Sequence, residues 1–421
     1  MQCNRFEVQT NKPFVSIILP TVLAIVICLG LVLNFEKTAN STSKATEKPN
    51  KTTLISEHLS PYITSDNDIN LSKALLSPDF ITLFGSSELS TKSEYNSHRF
   101  IPKFTNKELV AYGSGGFQSL NILLALKANN EFLKNSNIVI LLSPGWFVGS
   151  GADGLDPDYL IKTNTESSLN RLLQLAKQDK ESTYYVAKRF YEMASSNKIK
   201  PSITMEQIIN CSNKSNLEMI KGFPNSLTLS AKQKLKSFFR NSFSENSLEF
   251  TSHKEAVNAM QNLPTKKVDS FNYQSAKAKS KELLDSSCST NNWGILDNYY
   301  LKYINGKHST IDKGSIENNV EFEDYKQLLA FINRQNIPAV FVMQPLNPFY
   351  YKNLKELTPT LEAVKAEADK YNYPFLDMTV TDSTRYELGT LQDIMHLGDM
   401  GWMRINKFII DQKKLELYGK Y

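Results

Sequence analysis

Two short stretches, far apart in a chain of 421 residues, hold side chains that together could run serine-nucleophile chemistry. The first is Phe84-Gly85-Ser86-Ser87-Glu88, where an apolar, β-prone run from Ile81 to Phe84 stops at a glycine and two hydroxyl residues. The second is Asp393-Ile394-Met395-His396, a carboxylate three residues before an imidazole. A serine nucleophile needs a base to take its proton, and a third group to fix the tautomer of that base and offset its charge. Ser87, His396 and Asp393 supply the three types. Ser86 competes for the nucleophile's role, and Gly-Ser-Ser is also ordinary turn and cap vocabulary. An oxyanion formed on the way would take main-chain N–H donors, and Ser87, Gly115 and Gly116 are the candidates. Glu88 reads as a carboxylate favouring a helix start.

For these groups to meet, the strands that carry them must end at one edge. Apolar runs at Phe80–Phe84, Glu108–Tyr112 and Ile138–Leu142 each stop at a Gly/Ser-rich turn, the second at Gly113-Ser114-Gly115-Gly116 and the third at Ser143-Pro144-Gly145-Trp146-Phe147. A short helix at Leu71–Leu76 precedes them, and Phe117–Lys127 has Leu120, Leu123, Leu124 and Leu126 at helical spacing. The alternation predicts an α/β fold, a parallel sheet flanked by helices in three flavodoxin-like layers, with its functional edge at the strand C-termini. It resumes with a helix at Phe322–Arg334, a strand at Ala339–Met343, a helix at Thr360–Tyr371 and a strand at Pro374–Met378. A closing helix over Met400–Leu417 has Asp399 as its N-cap. Residues 157 to about 323 are rich in Lys, Ser, Asn and Leu, with helical patterns at Leu169–Met193 and Leu229–Phe239. They read as a mostly helical insertion that covers the catalytic edge or shapes a groove. Trp146, Phe147, Asn347 and Tyr350 follow strand ends and are the candidate substrate contacts, packing being the competing role for the aromatic ones.

Hydrophobic residues make up 41% of the chain, enough for a sizeable core. Pro13–Leu33 contains no charge, and at ~1.5 Å per residue a helix of that length reaches about the ~30 Å of a bilayer core. Residues 1–12 then form an N-terminal tail, 13–33 an uncleaved transmembrane anchor, 34–52 a flexible stalk rich in Ser, Thr, Asn and Lys, and 53–421 the folded body. Lysines and arginines flank both ends of the anchor, so charge does not set its orientation. A net charge of +5 without a polybasic block argues against a nucleic-acid partner. Five scattered histidines and four cysteines suggest no metal site, and no cofactor is expected. Cys211 and Cys288 fit either one disulfide or two free thiols.

Gly85-Ser86-Ser87-Glu88, Gly113-Ser114-Gly115-Gly116-Phe117-Gln118, Ser143-Pro144-Gly145-Trp146-Phe147 and Asp393-Ile394-Met395-His396-Leu397-Gly398 with Gly401-Trp402 resemble the ordered blocks of the DltD family. These are D-alanyl-lipoteichoic acid biosynthesis proteins of Gram-positive bacteria, themselves similar to SGNH hydrolases. The resemblance implies an SGNH-hydrolase-like catalytic domain with Ser87 as nucleophile and Asp393 and His396 as its partners. It implies a single-pass plasma-membrane protein, N-terminus cytoplasmic and body extracellular. It further implies transfer of D-alanine to glycerol-phosphate hydroxyls of lipoteichoic acid, with a DltB-like multipass acyltransferase and the D-alanyl carrier protein as partners. A serine esterase or thioesterase of the same pathway and a non-catalytic adaptor are the alternatives. The third block departs from the hydrolase pattern: Gly-x-Asn-Asp is missing, and Gly145 stands where a longer amide side chain is expected before Trp146.

Overall fold

Short apolar runs without polar alternation make strands buried on both faces. The computed structural model describes residues 56–60, 65–196, 198–212, 253–255, 257 and 268–412. It contains strands β1 Glu57–Leu59, β2 Phe80–Gly85, β3 Glu108–Gly113, β4 Ile138–Leu142, β5 Ala339–Met343 and β6 Phe375–Asp377. Every neighbouring pair is parallel, in the order β1-β3-β2-β4-β5-β6. The expected tail, anchor and stalk, 1–52, and the helical pattern at Leu229–Phe239 lie outside the described residues. Among the described residues no helix is long and apolar enough to cross a membrane.

Successive strand residues point to opposite faces, and two cores result. Phe80, Phe84, Val110, Tyr112, Ile138, Ile140, Phe341 and Met343 enter one, and Ile81, Leu83, Leu109, Ala111, Val139, Leu141, Val340 and Val342 the other. The helices are α1 Ser65–Leu76, α2 Ser97–Phe104, α3 Ser119–Ala128, α4 Pro157–Thr163, α5 Glu166–Gln178, α6 Lys180–Ser195, α7 Ile203–Ser212, α8 Tyr273–Ser287, α9 Val320–Arg334, α10 Thr358–Asp369 and α11 Asp399–Ile410. Leu71 and Leu75 of α1, Leu120 and Leu123 of α3, Leu328 and Leu329 of α9 and Val364 of α10 cover the first core. Phe100 and Ile101 of α2, with Trp402, Ile405 and Ile409 of α11, cover the second. This is the expected three-layer α/β arrangement.

Strand order decides where a ligand can bind. From β2 the chain passes through α2 to β3 on one side, then through α3 on the opposite face to β4 on the other side. The reversal opens a crevice beyond the C-terminal ends of β2 and β4, which is where open α/β sheets bind ligands. Ser87 follows the first of these strands.

Several expectations change. The edge strand β1 is an addition: three residues carry too little pattern to be read. Leu169–Met193 is not one helix but α5 and α6, broken at Asp179, whose carboxylate accepts the Ser182 N–H at 2.9 Å and caps α6. The closing helix is capped at Gly398, not Asp399. Asp399 instead accepts the hydroxyls of Ser93 (2.6 Å) and Ser280 (3.3 Å), tying α11 to the approach of α2 and to α8. Helix α5 packs against α3, α6 and α7 pack against α5, and the group adds Leu172, Leu173, Val186 and Phe190 to the first core. Arg189 of α6 anchors it through a buried ion pair with Asp324 of α9 at 2.9 Å, where the Tyr185 hydroxyl also donates at 2.8 Å. Cys211 and Cys288 are both free thiols, the second buried.

Candidate active site

Two glycines bring the ends of β2 and β3 together. Gly113 has φ +152°, and a Cβ there would stand 1.9 Å from the Gly85 carbonyl oxygen, a contact no side chain could share. The close approach draws the turn after β3 toward the serine turn, so that a Cβ on Gly115 would lie 3.9 Å from that of Ser87. Gly116, with φ +82°, turns its Cα against the ring of Tyr159 in α4. Of the two glycines expected to serve an oxyanion, Gly115 lies beside Ser87 and Gly116 seats the insertion.

The chain leaves β2 in a single 3-10 turn, Ser87–Ser90, and this separates the two serines. Ser86 is buried and donates its hydroxyl to the Ser114 carbonyl at 3.2 Å. Ser87 is half-buried, with its Oγ 2.8 Å from Nε2 of His396. On the other side of the ring, Nδ1 lies 2.8 Å from Oδ2 of Asp393. Asp393 is 7% exposed, and its Oδ1 accepts the N–H groups of Met395 (2.9 Å) and His396 (2.8 Å). One carboxylate therefore fixes both the backbone of the loop and the ring. The loop is pinned at its base by the Leu391–Leu397 bridge, and the Asn347 N–H holds it to the segment after β5 by donating to the Ile394 carbonyl at 3.0 Å.

These contacts are satisfied together when Nδ1 carries the proton toward Asp393 and Nε2 accepts the Ser87 hydroxyl. The hydrogen bond to Asp393 holds the imidazole above its ordinary range. Burial of the ring opposes this, while the charges of Asp393 and Glu88 add to it. Glu88, read from sequence as a helix-start carboxylate, does stand in the first turn of the 3-10 helix and is buried beneath the serine turn.

The expected substrate contacts fare differently. Phe147 is fully buried and meets Tyr325 edge-on at 5.7 Å, and Trp146 sinks into the same core. The turn Pro144–Trp146, started by the Ser143 hydroxyl accepting the Gly145 N–H at 3.3 Å, directs both rings into that core. Asn347, also fully buried, is a loop brace: its amide donates to the Trp293 carbonyl (3.1 Å) and its oxygen accepts the Phe349 N–H (3.0 Å). Tyr350 remains half-buried, edge-on to Tyr351 at 4.8 Å.

What the sequence did not reveal is a cleft of about 340 Å³ beside Asp393, lined by Asn298, Tyr299, Lys302, Tyr303 and Gln392. Its wall is the helical turn Asp297–Tyr299 running into the π-helical turn Tyr300–Ile304, a distortion that recurs at functional sites. Tyr299 is close enough to Asp393 and Tyr350 for both to add to the effect of burial in raising its hydroxyl's pKa. The available signal was Trp293, Tyr299, Tyr300 and Tyr303 inside an otherwise Lys-, Ser- and Asn-rich stretch.

The structure is thus a parallel α/β sheet that carries a serine, an imidazole and a carboxylate hydrogen-bonded in one line beyond its strand ends. The chain belongs to the DltD protein family, whose model matches residues 59–412. It is 22% identical to Protein DltD of Staphylococcus aureus (strain NCTC 8325 / PS 47) over 416 residues, which cover 96% of this chain and 97% of that protein. It is also 36% identical to Protein DltD of Bacillus subtilis (strain 168) over 81 residues, 19% of this chain and 20% of that one.

Proposed function

We propose that this protein transfers D-alanine to hydroxyls of lipoteichoic acid outside the membrane, through an ester on Ser87. The reading rests above all on the line from Ser87 through His396 to Asp393, with 2.8 Å at each step. His396 Nε2 takes the proton of Ser87 as Oγ attacks the alanyl carbonyl of an activated donor. Asp393 keeps Nδ1 protonated and offsets the charge of the imidazolium. The oxyanion is met by the Ser87 amide, with the Gly115 backbone alongside. His396 then returns its proton to the leaving group. In the second half a polymer hydroxyl gives its proton to His396 and attacks the ester, restoring Ser87. Each alanyl group adds an amine that offsets a phosphate charge of the polymer.

Family membership supports a place in teichoic acid D-alanylation at the cell envelope. The uncharged stretch Pro13–Leu33 supports an anchor that holds the body next to a DltB-like acyltransferase and the carrier that supplies alanine. Ser87→Ala, made at wild-type level and still membrane-bound, is expected to abolish D-alanyl ester in the wall polymer; undiminished ester would refute the reading. A second reading, hydrolysis of such esters, draws on the exposure of the His396 side chain, 29%, which leaves room for water as acceptor. Release of free alanine by the purified protein, without transfer to polymer, would favour it.

A further inference from the structure

Glu88 is 1% exposed, next in sequence to Ser87, and has no part in the relay just described. Buried carboxylates are costly unless their oxygens are used. One is: Oε1 accepts the Ser86 N–H at 2.6 Å. The space it occupies is kept by Gly85, where a Cβ would come within 2.5 Å of the same oxygen. The backbone amide it holds belongs to the residue immediately before Ser87, at the point where the chain leaves β2.

The groups facing this carboxyl are few. Gln344, 4% exposed at the end of β5, donates its side-chain amide to it, and His396 faces it from the loop after β6. His396 in turn faces Asp393 and Glu88. The carbonyl oxygen of the Gln344 side chain is buried with no partner among the described residues. Reversing that amide would let its oxygen accept a hydrogen bond from the Glu88 hydroxyl when the carboxyl is neutral. The surroundings thus offer partners to both forms of Glu88.

Resting on the acyl-transfer reading, we propose that Glu88 is a positioning residue for Ser87 and His396. It clamps the serine turn through the Ser86 amide and presents to the imidazole a second carboxylate besides Asp393. Burial, the largest effect, holds the Glu88 carboxyl above its ordinary range, while the Ser86 hydrogen bond and the His396 charge act against it.

The test follows the ring of His396 by NMR titration of the full-length chain labelled at its histidine ring carbons, alongside the rate at which a fluorophosphonate probe labels Ser87. Glu88→Gln keeps the shape and an acceptor for the Ser86 N–H but removes the charge. It is expected to lower the His396 midpoint by about half a pH unit or more. Glu88→Ala also removes the clamp and is expected to slow labelling roughly tenfold or more. A wild-type His396 midpoint in Glu88→Gln overturns the proposal, as does wild-type labelling in a folded Glu88→Ala. Should Glu88→Ala fail to fold, the Gln variant decides alone. Should the wild-type protein not label at all, the acyl-transfer reading falls while the ring titration still judges Glu88.

Discussion

Asp393→Asn isolates the part of the relay that depends on a proton's location. The carboxylate accepts three hydrogen bonds, two on Oδ1 from the loop backbone and one on Oδ2 facing Nδ1 of His396. An asparagine oxygen can keep the first two, so the loop retains its shape. The third becomes an amide N–H pointing at Nδ1, which must then accept. The ring proton moves to Nε2, the nitrogen 2.8 Å from Ser87 Oγ, and the serine loses its base. Geometry stays and tautomer changes. Such an inversion costs on the order of 10³- to 10⁴-fold in rate, roughly 4 to 5.5 kcal/mol of transition-state stabilisation. Fluorophosphonate labelling of Ser87 in the full-length chain measures it in vitro, and D-alanyl ester content measures it in cells. A folded Asp393→Asn protein that reacts within tenfold of wild type would refute the reasoning.

Three further outcomes follow. The raised imidazole of His396 must lose its proton to act as base, so activity rises with pH through a midpoint above the ordinary value of about 6.5, and Asp393→Asn moves that limb down. Stability runs the other way: the contact to Asp393 contributes fully below the unfolded value near 6.5 and is lost as pH rises through the folded one, visible as a pH-dependent thermal midpoint absent from Asp393→Asn. Phe147→Ala, at a fully buried ring, is expected to cost about 3–5 kcal/mol in denaturant unfolding. In the folded fraction its labelling rate should match wild type; a selective loss of reaction without loss of stability would restore the ring to the substrate's path.

The central strands were legible because β2, β4 and β5 are buried on both faces, which leaves unbroken apolar runs in the sequence. At the edges the signal fades: β1 has three residues, and β6 is only partly buried. Asp393 and His396 could be paired because a three-residue spacing on one loop lets both side chains face the same way. Ser86 and Ser87 could not be told apart, since the direction of the turn after β2 depends on Gly85, Gly113 and the carboxyl of Glu88 meeting in space. The aromatic residues left packing and a pocket role both open for a related reason. Trp146 and Phe147 follow a strand end, as pocket residues do, yet a capped 3-10 turn sends them into the core, while Tyr299 and Tyr303 reach the site from far away in sequence.

Ser87 and His396 stand 309 positions apart in the chain. A ribosome must have made nearly all of the polypeptide before the imidazole exists. Throughout synthesis the serine is therefore without its base, and a fragment that ends before residue 396 carries a hydroxyl no more reactive than any alcohol.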